Sequence, residues 1–181
     1  MNEQEYIRNE LKKNWGWMLV AGIVLVVLGT IGLGMSFWLT LASMFYIGTL
    51  LLIGSGVQLV NTLKCKGGVN VLWHSLITLL YLAAGIIVIT EPVIAGMAMT
   101  ALLAVALLGI GMFRSWIAIR SRPMKGWGFI LATGLAAIGL GLMIYSGWPA
   151  TGQWIIGMLV AIEIIMQGWT LVMFAIAARS A

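Results

Sequence analysis

Few side chains in this sequence could do chemistry, and the one set apart is an acid, Glu163, inside an apolar run from Thr151 to Ala177. It lies near the middle of that run, and every other run long enough to cross a bilayer is free of Asp, Glu, Lys and Arg. An ionisable group at mid-depth costs on the order of 2.5–3.5 kcal/mol on insertion scales for comparable residues, so its retention asks for a reason. Proton binding or contact with a polar substrate is one reason, and Glu163 then lines a polar cavity. A hydrogen bond between helices is the other, with a neutral, protonated carboxyl. Gln167, four residues on, shares its helix face, and Thr49 and Tyr81 are further candidate partners at similar depth.

The remaining reactive types are isolated. His74 has no second histidine, carboxylate or cysteine near it in sequence to complete a metal site, so no metal or cofactor is expected. Cys65 is the only cysteine, which excludes an intramolecular disulfide, and its neighbours Lys64 and Lys66 favour the thiolate only weakly. Glu91 belongs to a turn between two runs, about 15 Å from Glu163 in depth at the helical rise, too far for shared acid–base work. No Gly-rich turn followed by a lysine suggests a nucleotide site. No catalytic residue is therefore expected.

A chain of 181 residues that is 62% hydrophobic and 8% charged is a membrane domain with little left over. The net charge of +5 sits on basic residues scattered singly or in pairs, which argues against nucleic acid. Residues 1–14 form a cytoplasmic N-terminal segment, amphipathic or disordered, in which Ile7 and Leu11 give a narrow apolar face. Residues 15–178 hold six apolar runs: Trp15–Met35, Trp38–Val60, Val69–Thr90, Val93–Phe113, Trp127–Gly147 and Thr151–Ala177. Each is near or above the roughly 20 residues a spanning helix needs, which gives an all-α membrane protein with six transmembrane helices. Pro92, Pro123 and Pro149 all fall between runs, where helices are expected to break.

The basic residues orient these spans. All 10 lie on one face: Arg8, Lys12 and Lys13 in the N-terminal segment, Lys64 and Lys66 in the second connection, Arg114, Arg120, Arg122 and Lys125 in the fourth, and Arg179 in the tail. The positive-inside rule places that face, and both termini, in the cytoplasm. Trp15, Trp17, Trp73, Trp116 and Trp127 mark the same ends of the spans, while Trp38, Trp148 and Trp154 mark the outer ends. Only Trp169 lies deeper than this aromatic belt. The Arg114–Lys125 segment is a candidate surface for anionic headgroups of the lipid bilayer. Outer connections of a few residues leave only helix ends around Glu91, Ser146 and Gln153 for an outer-face site. No protein partner or homo-oligomer follows from the sequence.

The runs group into three two-helix repeats, about 15–63, 69–120 and 125–178. Trp73 and Trp127 are 54 apart, as are Gly85 and Gly139, while Trp15, Gly22 and Gly29 precede Trp127, Gly134 and Gly141 by 112. A competing register pairs Trp17 with Trp73 and Gly29 with Gly85. Gly54 and Gly109 are then the expected counterparts of Glu163. Units of two spans share one orientation, so the repeats are parallel about a pseudo-threefold axis along the membrane normal.

From about Trp15 to Ala178 the chain resembles the HdeD family of small bacterial inner-membrane proteins, built from a short repeat of unknown function numbered 308. The resemblance is sharpest from Met124-Lys125-Gly126-Trp127 through Trp148-Pro149 to Gly157 and Ile162-Glu163-Ile164, with Glu91-Pro92 as the matching outer turn of the second copy. The first copy has Phe37-Trp38 where that turn would be. The resemblance implies a six-span inner-membrane protein with a stress-response role in acid resistance, and it brings no catalytic residues. The alternative expectation is a small transporter or channel for protons or a small solute that uses Glu163.

Overall fold

The computed structural model describes residues 3–65, 68–122 and 126–180, with side chains described between residues 14 and 179. Six long helices account for nearly all of it: α1 (Glu3–Gly34), α2 (Ser36–Lys64), α3 (Gly68–Thr90), α4 (Pro92–Arg120), α5 (Trp127–Ser146) and α6 (Ile155–Ser180). No strand occurs among the described residues. Each helix contains a stretch long and apolar enough to cross a membrane, with mean hydropathy from 1.8 to 2.4. The protein is a multi-pass membrane protein.

Helix boundaries follow local chemistry, with two departures from the apolar runs. α4 begins at Pro92, whose missing N–H costs nothing at a first helical position, and Glu91 precedes it as N-cap. It then continues past Phe113 to Arg120, so Arg114 and Arg120 lie on its last turns and not in a connection. Polar side chains are tolerated there because the helix, at 29 residues, outreaches a hydrocarbon core of about 30 Å. α5 starts after Gly126, whose φ of 97° is a conformation that favours glycine. The last run departs from a single helix, since residues Ala150–Gln153 form a 3-10 turn before α6. Gly152 explains the turn: a Cβ there would lie 2.8 Å from the Met97 Cα. Trp148 Nε1 also donates to the Met97 carbonyl (3.2 Å), and Thr151 Oγ1 to that of Ile144 (3.0 Å). At the other end of the chain α1 runs unbroken from Glu3, so residues 3–13 continue the first span and carry it beyond the hydrocarbon.

The chain divides into two compact units, one of α1, the first residues of α2 and α6, the other spanning Thr40–Ile155. In the first, α1 and α6 pack through small residues. A Cβ on Gly22 would lie 2.8 Å from the Gly168 carbonyl oxygen, and one on Gly29 would lie 2.9 Å from that of Ala161. In the second unit α4 and α5 pack in the same way, Gly111 against Gly134 and Ala104 against Gly141, and α2 meets α3 through Gly48 and Gly85.

These contacts define one geometry used three times. On the leading helix of each pair the contact positions are Gly48, Ala104 and Ala161, then, seven residues on, Ser55, Gly111 and Gly168. On the trailing helix they are Gly29, Gly85 and Gly141, then Gly22, Thr78 and Gly134. All but Thr78 are buried. The trailing set recurs every 56 residues, whereas the leading set steps by 56 and then 57. The added residue falls between Gly141 and Ala161, where the 3-10 turn absorbs it.

Small residues sit inside and large ones outside. Buried hydrophobics include Ala95, Ala104, Ala118, Ala161 and Ala175, while Phe129, Met143 and Tyr46 are 78%, 73% and 67% exposed. That is the expected order where lipid is as apolar as leucine and close backbone approach drives association. The α2–α3 pair deviates once. Thr62 and Thr78 hydroxyls lie 3.2 Å apart, and Gln58 Nε2 lies 2.7 Å from His74 Nδ1. The other pairs have Ala118 and Gly134, or Ala175 and Gly22, at the threonine positions.

Candidate functional site

α6 presents two opposed faces. Ala161, Ile165, Gly168 and Val172 face α1. Glu163 and Gln167 are set about 200° from that face at 100° per residue, and both are exposed. Gln167 Nε2 donates to Glu163 Oε1 at 3.0 Å, and no other described residue bonds to either side chain. Thr170 continues the stripe and turns its hydroxyl to the Met166 carbonyl, 2.8 Å away. A surface groove of about 500 Å³ runs along these residues, lined by Glu163, Met166, Gln167, Thr170, Leu171 and Phe174, all of α6. The stripe is thus a carboxyl–amide pair on the outward side of a spanning helix. One intrahelical hydrogen bond leaves much of the cost of an ionisable group at that depth, on the order of 2.5–3.5 kcal/mol, unmet within one chain.

The residues considered as further partners are engaged elsewhere. Thr49 Oγ1 donates to the Phe45 carbonyl at 2.7 Å, and the Tyr81 ring lies against Gly54. His74 bonds Gln58, and Cys65 is a free, half-buried thiol at the end of α2. Among the described residues no three His, Cys, Asp or Glu side chains gather as metal ligands would. Glu91 is exposed at the start of α4 without a side-chain capping bond, and Gln153 is half-buried in the 3-10 turn. Trp169 is 62% exposed and borders a second surface groove with Met173 and Phe174.

The basic segment resolves into different settings. Arg114 is exposed on α4, Arg120 lies over the Trp116 ring at 5.7 Å, and Arg122 lies over Trp127 at 5.7 Å. Lys125 lies outside the described residues. Arg179 lies over Trp15 at 5.0 Å, a pairing that reading the tail as a single charge misses. Its signal was in the spacing, because Arg122 and Arg179 are 57 apart, one repeat step, and the tryptophans beneath them, Trp127 and Trp15, hold the same place in their repeats, 112 apart. Such contacts hold a guanidinium at headgroup level with its stem along apolar surface.

Comparison with protein families gives the repeat an independent measure. The family described as a short repeat of unknown function (DUF308) matches residues 20–90 and again residues 76–146. The chain belongs to the DUF308 family. No curated protein and no solved structure matches it. Both ends of the two DUF308 matches are offset by 56 residues, the step of the buried Gly29, Gly85 and Gly141. The 54-residue register is therefore wrong by two: Gly139, which it pairs with Gly85, has nothing within 4 Å of a Cβ, while Gly141 packs on Leu108. The counterparts of Glu163 change as well. Across the 57-residue step from Ala104 to Ala161 and the 56-residue step before it they are Ala106 and Leu50, both exposed, and not Gly109 and Gly54.

Proposed function

We propose that this DUF308 protein is an HdeD-like integral protein of the bacterial inner membrane, with both termini cytoplasmic and a stress-response role in acid resistance. The role is exerted through the bilayer or a partner, without catalysis and without moving a solute through a single copy. What carries this reading is the setting of Glu163, the one acid in a spanning segment, in a groove built from α6 alone. A carrier or channel holds its ionisable group in a cavity or pathway, facing the bundle interior. The arginine–tryptophan pairs at the basic ends support contact with anionic headgroups, as guanidinium groups held at that level attract them.

Two measurements made together test the reading. A strain lacking the protein should survive acid challenge less well, with rescue by the wild type and by Glu163→Gln. Proteoliposomes holding the purified protein should show no proton flux above empty liposomes. Flux that disappears in Glu163→Gln would replace this reading with a proton transporter, and unaltered acid survival of the deletion strain would remove the stress role.

A further inference from the structure

The outward stripe of α6 is polar, whereas the same stripe in the other repeats is apolar. Glu163, Gln167 and Thr170 correspond to Ala106, Ile110 and Phe113 in α4 and to Leu50, Gly54 and Val57 in α2. Leu50, Val57, Ile110 and Phe113 are 48%, 59%, 48% and 61% exposed, as suits side chains that meet lipid. The scaffold is thus built twice with apolar residues here, and its own packing gives no reason for a carboxyl and an amide in the third copy. We propose that this face of α6 is covered by the same face of a second copy, so that the protein is a membrane dimer closed around Glu163 and Gln167.

The hydrogen-bonding inventory favours a second copy over other occupants. The bond from Gln167 Nε2 to Glu163 Oε1 leaves one amide N–H and the amide oxygen of Gln167 free to pair. It also leaves the second carboxyl oxygen of Glu163 free to accept. Donors and acceptors stand side by side, so the face is complementary to itself. Copies of a multi-pass chain insert with one orientation, and a twofold axis along the membrane normal brings each residue level with itself. Glu163 then meets the carboxyl and amide of the partner at its own depth. A lipid acyl chain offers neither donor nor acceptor. The groove beside the pair, about 500 Å³ and bordered by Met166, Leu171 and Phe174, has room for side chains of a facing helix.

Cysteine cross-linking of the full chain in native membranes tests this, in a Cys65→Ser background. Met166→Cys, within the stripe and 63% exposed, should give a disulfide-linked dimer on oxidation. Ile53→Cys and Ile110→Cys, outward on α2 and α4, should stay monomeric. Adding Glu163→Leu and Gln167→Leu to Met166→Cys should lower the dimer fraction about tenfold, given the strength of interhelical hydrogen bonds in bilayers. Those leucines match the character of the aligned Leu50 and Ile110, and unchanged circular dichroism confirms the fold. Glu163→Gln, which keeps an acceptor oxygen at that position, should keep the dimer. The proposal is overturned if Met166→Cys stays monomeric, if it links to a different protein, if Ile53→Cys links equally well, or if the double leucine variant dimerises like its parent.

Discussion

At the scale of single residues, position within the repeat decides whether a glycine matters. Gly134 and Gly139 sit five apart on α5, yet a Cβ on the first would lie 2.6 Å from Ser115 Oγ and 3.0 Å from its backbone nitrogen, while the second faces open space. Gly134→Val should therefore destabilise the α4–α5 pair by about 1–3 kcal/mol, the usual cost of overpacking a close contact. Gly139→Ala should be neutral or stabilise by up to about 1 kcal/mol, because alanine is the better helix former. Reversible unfolding in mixed micelles, followed by circular dichroism, measures both. Equal losses in the two variants would mean that the 56-residue register misplaces the contact. Glu163 is the converse case, since its apolar counterparts show that the fold does not depend on it. Its type and approximate depth were legible in the sequence. Its outward direction was not, because a polar stripe on a membrane helix can face a neighbouring helix, a cavity or a second copy, and hydropathy alone does not separate the packed face from the lipid face.

Among the elements, the α2–α3 pair shows what replaces glycine when a repeat diverges. Thr78 stands where α1 and α5 have Gly22 and Gly134, and Thr62 stands where α4 and α6 have the fully buried Ala118 and Ala175. The hydroxyl contact between the threonines and the Gln58–His74 bond hold this pair where the others use backbone approach. Gln58→Leu should cost about 0.6–2 kcal/mol, the range for interhelical hydrogen bonds in bilayers. Thr62→Ala with Thr78→Gly rebuilds the small-residue pair of the other copies and should cost less than either single change. A double-mutant cycle on unfolding free energies reads this directly, and additive losses would rule out compensation between the two positions. The helices and their order could be read from hydropathy and proline, since spanning length and helix breaking are local properties. The register was legible only as two competing steps. Trp73 with Trp127 gives 54, whereas Trp17 with Trp73 and Gly29 with Gly85 give the 56 of the buried glycines, and tryptophans at the membrane surface are placed by lipid as much as by packing. Likewise Arg114 and Arg120 read as a connection because charge ends an apolar run, although α4 goes on beyond it.

For the whole molecule, the distribution of charge bears on orientation more strongly than any contact does. Every lysine and arginine lies at one set of helix ends or in the connections beside them, and the opposite connections carry Glu91 but no basic residue. Inserting the chain the other way round would carry basic residues from four separate segments across the bilayer against the bias that normally sets topology. The single native cysteine makes the proposed orientation measurable without disturbing the fold. Cys65 follows α2 at the basic end, half-buried, with its backbone N–H bonded to the Asn61 carbonyl at 3.1 Å. In intact spheroplasts it should resist a membrane-impermeant maleimide and react once the membrane is opened. Ser146→Cys in a Cys65→Ser background is exposed at the far end of α5, and its only described side-chain bond is to the Met143 carbonyl of its own helix. It should label in intact spheroplasts, about tenfold faster than Cys65, because only one of the two thiols is on the reagent's side of a hydrocarbon core roughly 30 Å thick. Labelling in the reverse order would turn the molecule over, placing Glu91 and Gln153 in the cytoplasm and the arginine–tryptophan pairs outside. The two-helix repeat makes that outcome all or none, since an even number of spans per unit gives every repeat the same direction.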